Sequence, residues 1–295
     1  MSAETLLDEV IRRKLEPLTL TAQRVRAGAM KGDRRSTKRG TSVEFADYRN
    51  YTPGDDLRRL DWNVFARSDK PVLKLLEDEE DLAVHLWLDT SGSMGFPQAG
   101  NPDEHKLTYA KKLAAAIAYI ALAENDRLAI TAGGKSFGPA RGRAQIVPML
   151  RFLQSIDSSG QTDLNRALTD YSARATRPGM MFVISDMFSP TGYVEGLNRL
   201  LGKGYEVVMI HLLSRDELEP PLAGDLRLVD IETGMPQEIS LDDGLRELYA
   251  RRLDQWREDI RSDCMRRGVG HVAAASDTPY ERILFNDLRR LGAVR

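Results

Sequence analysis

An α/β fold, with a mostly parallel central sheet and helices on both of its faces, is the class this sequence predicts, and three observations predict it. From residue 82 to residue 213, short apolar runs alternate with stretches whose apolar residues recur every three or four positions. The helical stretch at 105–124 carries Leu107, Ala110, Leu113, Ala114, Ile117, Ile120 and Ala121, a small-residue face suited to close packing on a sheet. A chain of 295 residues is long enough to bury a sizeable core.

Taken in order, residues 4–15 place Leu6, Leu7, Val10, Ile11 and Leu15 on one helical face, and Pro17 ends the helix. Residues 24–39 hold seven bases and one acid with no periodicity, which reads as a solvated loop, with the five acids of 77–81 as a local counterpart. Between them, 44–67 mixes aromatics with Asp and Arg around a turn at Pro53-Gly54, a compact irregular segment held by ion pairs. Strands are expected at 72–76, 82–89, 127–131, 144–147, 180–184 and 205–213, and helices at 149–156, 163–175 and 193–202. A hairpin at 226–231 and 237–240 leads to a helix at 243–267, which buries Leu245, Tyr249, Leu253, Trp256, Ile260 and Cys264 and ends at Gly268. A strand at 269–274 and a capping box, Thr278-Pro279-Tyr280-Glu281, introduce the last helix, which ends near Gly292. Residues 1–80 thus form an N-terminal extension and 81–295 the main domain.

The bulk numbers bound the function. A net charge of −2, and a basic segment without interleaved aromatics, argue against a nucleic-acid partner. The single Cys264 forms no internal disulfide. The N-terminus has no secretory pattern, and the longest uncharged apolar run, 113–123, is too short to span a bilayer. A cytoplasmic protein without stable membrane insertion is the expectation.

The stretch that carries chemistry is Asp89-Thr90-Ser91-Gly92-Ser93-Met94, directly after the strand at 82–88. Ligands of open α/β sheets bind beyond the carboxyl ends of the strands, and three segments arrive there together. The first supplies Asp89, Ser91 and Ser93, the second Thr162, and the third Asp186. All five offer oxygen, the donor preferred by small hard cations. Read without a metal, the same serines and threonine are turn and cap residues. Other chemistries lack parts. Gly134-Lys135-Ser136 has Ala129 where a phosphate-binding loop needs its first glycine, and Phe137-Gly138-Pro139 opens no helix. Ser91 stands where an Asp-x-Asp phosphatase needs its second aspartate, and the serines have no Gly-x-Ser-x-Gly setting. His85, His211 and His271 fall within strands and His105 begins a helix, so no base faces a nucleophile.

Asp-x-Ser-x-Ser after an apolar strand, a Thr in a loop before a helix and an Asp closing a later strand resemble the metal-ion-dependent adhesion site of von Willebrand factor A domains. The resemblance covers roughly residues 82–213 and implies the Rossmann-like fold of that type. It implies that Ser91, Ser93 and Thr162 bind Mg²⁺ or Mn²⁺ through hydroxyls, with Asp89 and Asp186 direct or through water. A position left open would take an acidic side chain of a protein ligand, so the ion bridges in binding and the protein is no enzyme. The pattern Arg-Gly-x-x-x-Glu-Phe-x-Asp-x-Arg-x-Tyr-x-Pro-Gly-Asp-Asp-x-Arg-x-Leu-Asp-Trp-x-x-x-Ala-Arg, over 39–67, is similar to the signature of the bacterial family known as domain of unknown function fifty-eight. The segment 228–234 and the last helix are similar to it as well. That resemblance implies work with a MoxR-type AAA+ ATPase in the assembly or maturation of other proteins. A metal-dependent hydrolase or phosphotransferase using the same oxygen cluster is the alternative.

Overall fold

The computed structural model describes residues 6–22, 43–52, 60–68, 70–78, 82–97, 104–174, 177–221, 224–229 and 234–295, with backbone alone at 43–49, 74–78 and 241. The basic loop 24–39, the turn at Pro53-Gly54 and the end of the acidic run 77–81 lie outside the described residues. The chain divides into two compact units, residues 32–81 and the remainder.

In the smaller unit, β1 (Val43–Asn50) pairs antiparallel with β2 (Val72–Asp78), the register shifting between Phe45 and Asp47. Its helix α2 (Trp62–Ser68) starts beside buried Asp61, whose Oδ1 accepts from the Asn63 and Val64 N–H groups at 2.9 and 3.2 Å. The expectation of an irregular segment over 44–67 is therefore corrected at 44–50 and 62–67, while residues 53–59 lie outside the described residues. Charged residues alternate with apolar or aromatic ones over 43–45 and 47–49, a strand's period of two broken at Ala46 where the register shifts, and Asp61 supplies helix-start hydrogen bonds.

The larger unit is built on six strands: β3 (Ala83–Leu88), β4 (Arg127–Ala132), β5 (Lys135–Ala140), β6 (Met180–Ser185), β7 (Glu206–Leu213) and β10 (Gly270–Ala275). Their order is β10-β7-β6-β3-β4-β5, parallel except for β5. It is a mixed α/β fold with a mostly parallel sheet. Alternate residues sort onto its two faces. Val84, Leu86 and Leu88 of β3 and Phe182 and Ile184 of β6 join a core with α1 (Glu9–Leu15), α3 (Lys106–Ala123), α4 (Ile146–Gln154) and the C-terminal residues. Trp87, Met181, Val183 and Met209 face the other way, onto α5 (Leu164–Arg174), α6 (Val194–Gly202) and α8 (Asp243–Arg267). Between β7 and α8 come the short α7 (Arg215–Leu218) and the hairpin of β8 (Gly224–Val229) and β9 (Pro236–Leu241).

Several expectations are corrected. Residues 144–147 are not a strand: a 3₁₀ turn at Arg143–Gln145 runs into α4. The strand there is β5, folded back on β4 through Gly133 and Gly134, whose positive φ angles of 56° and 73° suit a tight hairpin. Helix α3 buries not one face but 14 of its 18 residues, because α1, α4 and the C-terminal turns wrap its outer side. The helix begins only after Asp8, whose Oδ1 accepts from Ile11 N at 2.7 Å, and within it Ile11 and Leu15 are buried while Val10 is exposed. In α8, Leu253, Ile260 and Cys264 are buried but Tyr249 is exposed, its hydroxyl donating to the Glu217 carbonyl at 2.6 Å. The box at Thr278 does not form, since its hydroxyl turns to Asp277. Helix α9 (Tyr280–Arg282) starts after Pro279 and widens into a π-helical turn, Ile283–Leu288. Among the described residues no helix is long and apolar enough to cross a membrane.

Candidate metal centre

The sheet begins in its middle. From β3 the chain moves to β4 on one side and later to β6 on the other, so the order reverses between β3 and β6. The carboxyl ends of two such neighbouring strands form the crevice in which α/β sheets bind ligands. Asp89 follows β3 there and Asp186 follows β6.

Register explains how the two ends meet. Leu88 lies opposite Ile184, and the Asp89 N–H donates to the Ile184 carbonyl at 2.9 Å. Ser185 thereby lies beside Asp89, and its hydroxyl donates to Asp89 Oδ2 at 2.6 Å. The Ser91 N–H donates to Asp89 Oδ1 at 2.9 Å. Asp89 is buried, and burial followed by the charge of Asp186 holds its carboxyl above the usual carboxylate range, while the bonds from Ser185 and Ser91 pull the other way.

After Asp89 the chain makes a 3₁₀ turn, Gly92–Gly95, capped at Ser91. The Ser91 and Ser93 hydroxyl oxygens stand 3.0 Å apart. The loop before α5 is pinned to this turn by two backbone bonds, Ser159 N–H to Thr90 O and Gly92 N–H to Gly160 O, both 2.8 Å. Thr162, two residues on, is half-buried and lines a cavity of about 630 Å³ with Thr90, Gly133 and Gly134. That cavity runs along the β3 and β4 face and takes in His85, Trp87 and Tyr171. The structure thus gathers Asp89, Ser91, Ser93 and Asp186 and ties the Thr162 loop to them.

Three participants carry no signal in the sequence. Ser185 links the two strand ends, and its oxygen also accepts from the Met187 N–H at 2.9 Å. That bond helps hold Met187 at a φ of 62°, a left-handed conformation costing roughly 1–2 kcal/mol in an L-residue. Lys106, at the start of α3, is fully buried, with Nζ 2.7 Å from Asp186 Oδ2 and 2.6 Å from Glu217 Oε1. A lysine at a helix start reads as solvated surface, so neither it nor Glu217 stands out from spacing.

The fit to a small divalent cation can be tested on this geometry. Two oxygens at adjacent corners of an Mg²⁺ octahedron lie about 3.0 Å apart, given metal–oxygen distances of about 2.0–2.1 Å. The Ser91 and Ser93 hydroxyls hydrogen-bond to each other at 3.0 Å, a separation that such an edge also accommodates. Among the described residues no three His, Cys, Asp or Glu side chains cluster to hold a metal, so hydroxyls would have to complete any such set. The donors present suit Mg²⁺ or Mn²⁺ rather than softer ions.

The model of the family described as "Protein of unknown function DUF58" matches residues 47–259. The chain belongs to that family. Its relatives include the uncharacterized protein Mb1516 of Mycobacterium bovis and the uncharacterized protein Rv1480 of Mycobacterium tuberculosis, each 30% identical over 296 residues, covering 97% of this chain and 92% of the relative. Among solved structures, the conserved hypothetical protein BatB from Bacteroides thetaiotaomicron is similar at a TM-score of 0.41 and 19% identity, over 68% of this chain and 92% of that one.

Proposed function

We propose that this DUF58 protein is a non-enzymatic, cytoplasmic adaptor whose von Willebrand A-like domain holds Mg²⁺ or Mn²⁺ and uses it to bind an acidic side chain of a protein ligand. The observation that carries the reading is the meeting of two buried carboxylates and two hydroxyls, 3.0 Å apart, at the point where strand order reverses. Ser91, Ser93 and Thr162 would supply neutral donors, and Asp89 and Asp186 the balancing charge. A bound divalent ion supplies a Lewis-acidic position that a carboxylate can fill. The residues around it orient and neutralise: Ser185 fixes Asp89, and the Phe188 N–H fixes Asp186 Oδ1 at 3.1 Å. Phe188, 42% exposed, adds an apolar contact beside Asp186 for a protein partner. Work with a MoxR-type AAA+ ATPase, in assembly or maturation of other proteins, rests on the family resemblance.

Calorimetric titration with Mg²⁺ and Mn²⁺ tests the metal. Asp89→Asn and Ser93→Ala are the informative variants, because Asp186→Ala would also strand the buried Lys106. Each is expected to weaken binding by at least about tenfold. Equal binding in both variants refutes the site. For the partner, affinity capture with a MoxR-type ATPase is expected to recover a complex with wild type and to lose it in Asp89→Asn. Recovery unaffected by Asp89→Asn would separate the partnership from the metal.

A further inference from the structure

Lys106 is in an expensive place. It opens the 18-residue α3, at the positive end of the helix dipole, and it has no exposed surface. Burying an ammonium costs several kcal/mol unless its partners are well placed. Here Asp186 Oδ2 and Glu217 Oε1 both lie within 2.7 Å, and the Phe188 ring is 5.4 Å from Nζ. Glu217 is itself held by a reciprocal cap at the start of α7: its Oε2 accepts from the Ser214 N–H at 2.7 Å, and the Ser214 hydroxyl accepts from the Glu217 N–H at 3.2 Å. Lys106 thus ties together α3, the end of β6 and α7.

The charges of this cluster form a pattern. Lys106 cancels Glu217, which leaves Asp89 and Asp186 uncompensated, the charge one divalent cation neutralises. We propose that Lys106 and Glu217 are a positioning pair that holds Asp186 in place without an ion and sets the charge, and hence the affinity, of the metal centre. The proposal rests on the metal reading above. With Lys106 on Oδ2 and the Phe188 N–H on Oδ1, Asp186 is held from both oxygens. Neutralising Glu217 leaves one net negative charge facing the ion; neutralising Lys106 leaves three. The two changes should therefore move affinity in opposite directions although neither side chain is among the proposed ligands.

Mg²⁺ titration calorimetry and thermal melting of the full chain, with and without Mg²⁺, test this. Glu217 is partly solvent-accessible, so Glu217→Gln is the variant most certain to fold. It is expected to weaken Mg²⁺ binding about tenfold, from the loss of one nearby charge. Lys106→Met is expected to melt lower than wild type without Mg²⁺ and to gain more from Mg²⁺ than wild type does. The double variant Lys106→Met/Glu217→Gln, again with two uncompensated carboxylates, is expected to return to near wild-type affinity. A pair that only packs would leave affinity unchanged in Glu217→Gln, and that result overturns the proposal while leaving the metal reading intact. Absence of Mg²⁺ binding in wild type overturns both.

Discussion

Gly179→Ala is expected to destabilise the larger unit by about 3 kcal/mol, measured as a shift in denaturant midpoint, and to disturb the candidate metal centre about 20 Å along the strand, at Ser185 and Asp186 at the far end of β6, at about 3.3 Å per residue. Gly179 is buried immediately before β6, and a Cβ built there would lie 2.0 Å from the Ala83 carbonyl oxygen and 2.8 Å from the Ala83 carbonyl carbon and Cβ. Two of these are backbone atoms of the neighbouring strand and the third is an alanine Cβ fixed to that backbone, so no rotamer change absorbs the clash and β6 and β3 must part. Their register is what places Ser185 beside Asp89 and brings Asp186 to the same crevice. Mg²⁺ affinity should therefore fall together with stability. Gly202→Ala is the control: it lies at the end of α6 with nothing within 4 Å of a built Cβ and no positive φ. There alanine is expected to be neutral or to stabilise by up to about 1 kcal/mol. Equal effects of the two substitutions would refute the steric argument.

The contrast marks what a sequence reveals. Periodicity located β3, β6, β7 and the helices between them because each is apolar on faces its period predicts, and the alternation implied a mostly parallel sheet. The motif residues Asp89, Ser91 and Ser93 were legible because they are consecutive with a strand end, and Asp186 because it closes another. What was not legible depends on neighbours distant in the chain. Lys106 meets Asp186 across 80 residues and Glu217 across 111, and no local pattern separates a buried lysine from a solvated one. The strand at 135–140 is mostly exposed and holds Gly138 and Pro139, so composition hides it, whereas its pairing with β4 follows from the two-glycine turn. Tyr249 and Val10 lie on faces that periodicity marks as apolar but that the described residues leave exposed.

Acidification from pH 7.5 to pH 5 is expected to lower folding stability by about 4 kcal/mol through His85 and His211, taking about 1.4 kcal/mol per histidine for each pH unit that the solution falls below their ordinary value. His85 in β3 is buried, its Nδ1 2.6 Å from the Tyr171 hydroxyl and its Nε2 3.1 Å from the Arg177 carbonyl. Burial lowers its pKa to about 4, against a smaller opposing pull from that carbonyl. His211 in β7 is pushed down to about 3, first by burial and then by His271, Arg257 and Lys106, with the Asp186 backbone opposing. Both are therefore neutral in the folded chain at pH 5, whereas in the unfolded chain they take up protons near the ordinary histidine value of 6.5. The unfolded state binds more protons throughout that window, so stability is fully present above about pH 6.5 and is lost as pH falls towards 4 and then 3. Asp89 acts in the opposite sense, because its raised pKa favours protonation of the folded form as the pH drops. Denaturant unfolding at the two pH values, repeated on His85→Gln, isolates the histidine contribution: the variant is expected to lose about 2 kcal/mol less than wild type on acidification. An identical loss in both would mean that His85 takes up its proton without unfolding, and that the Tyr171 and Arg177 contacts adapt to a charged ring.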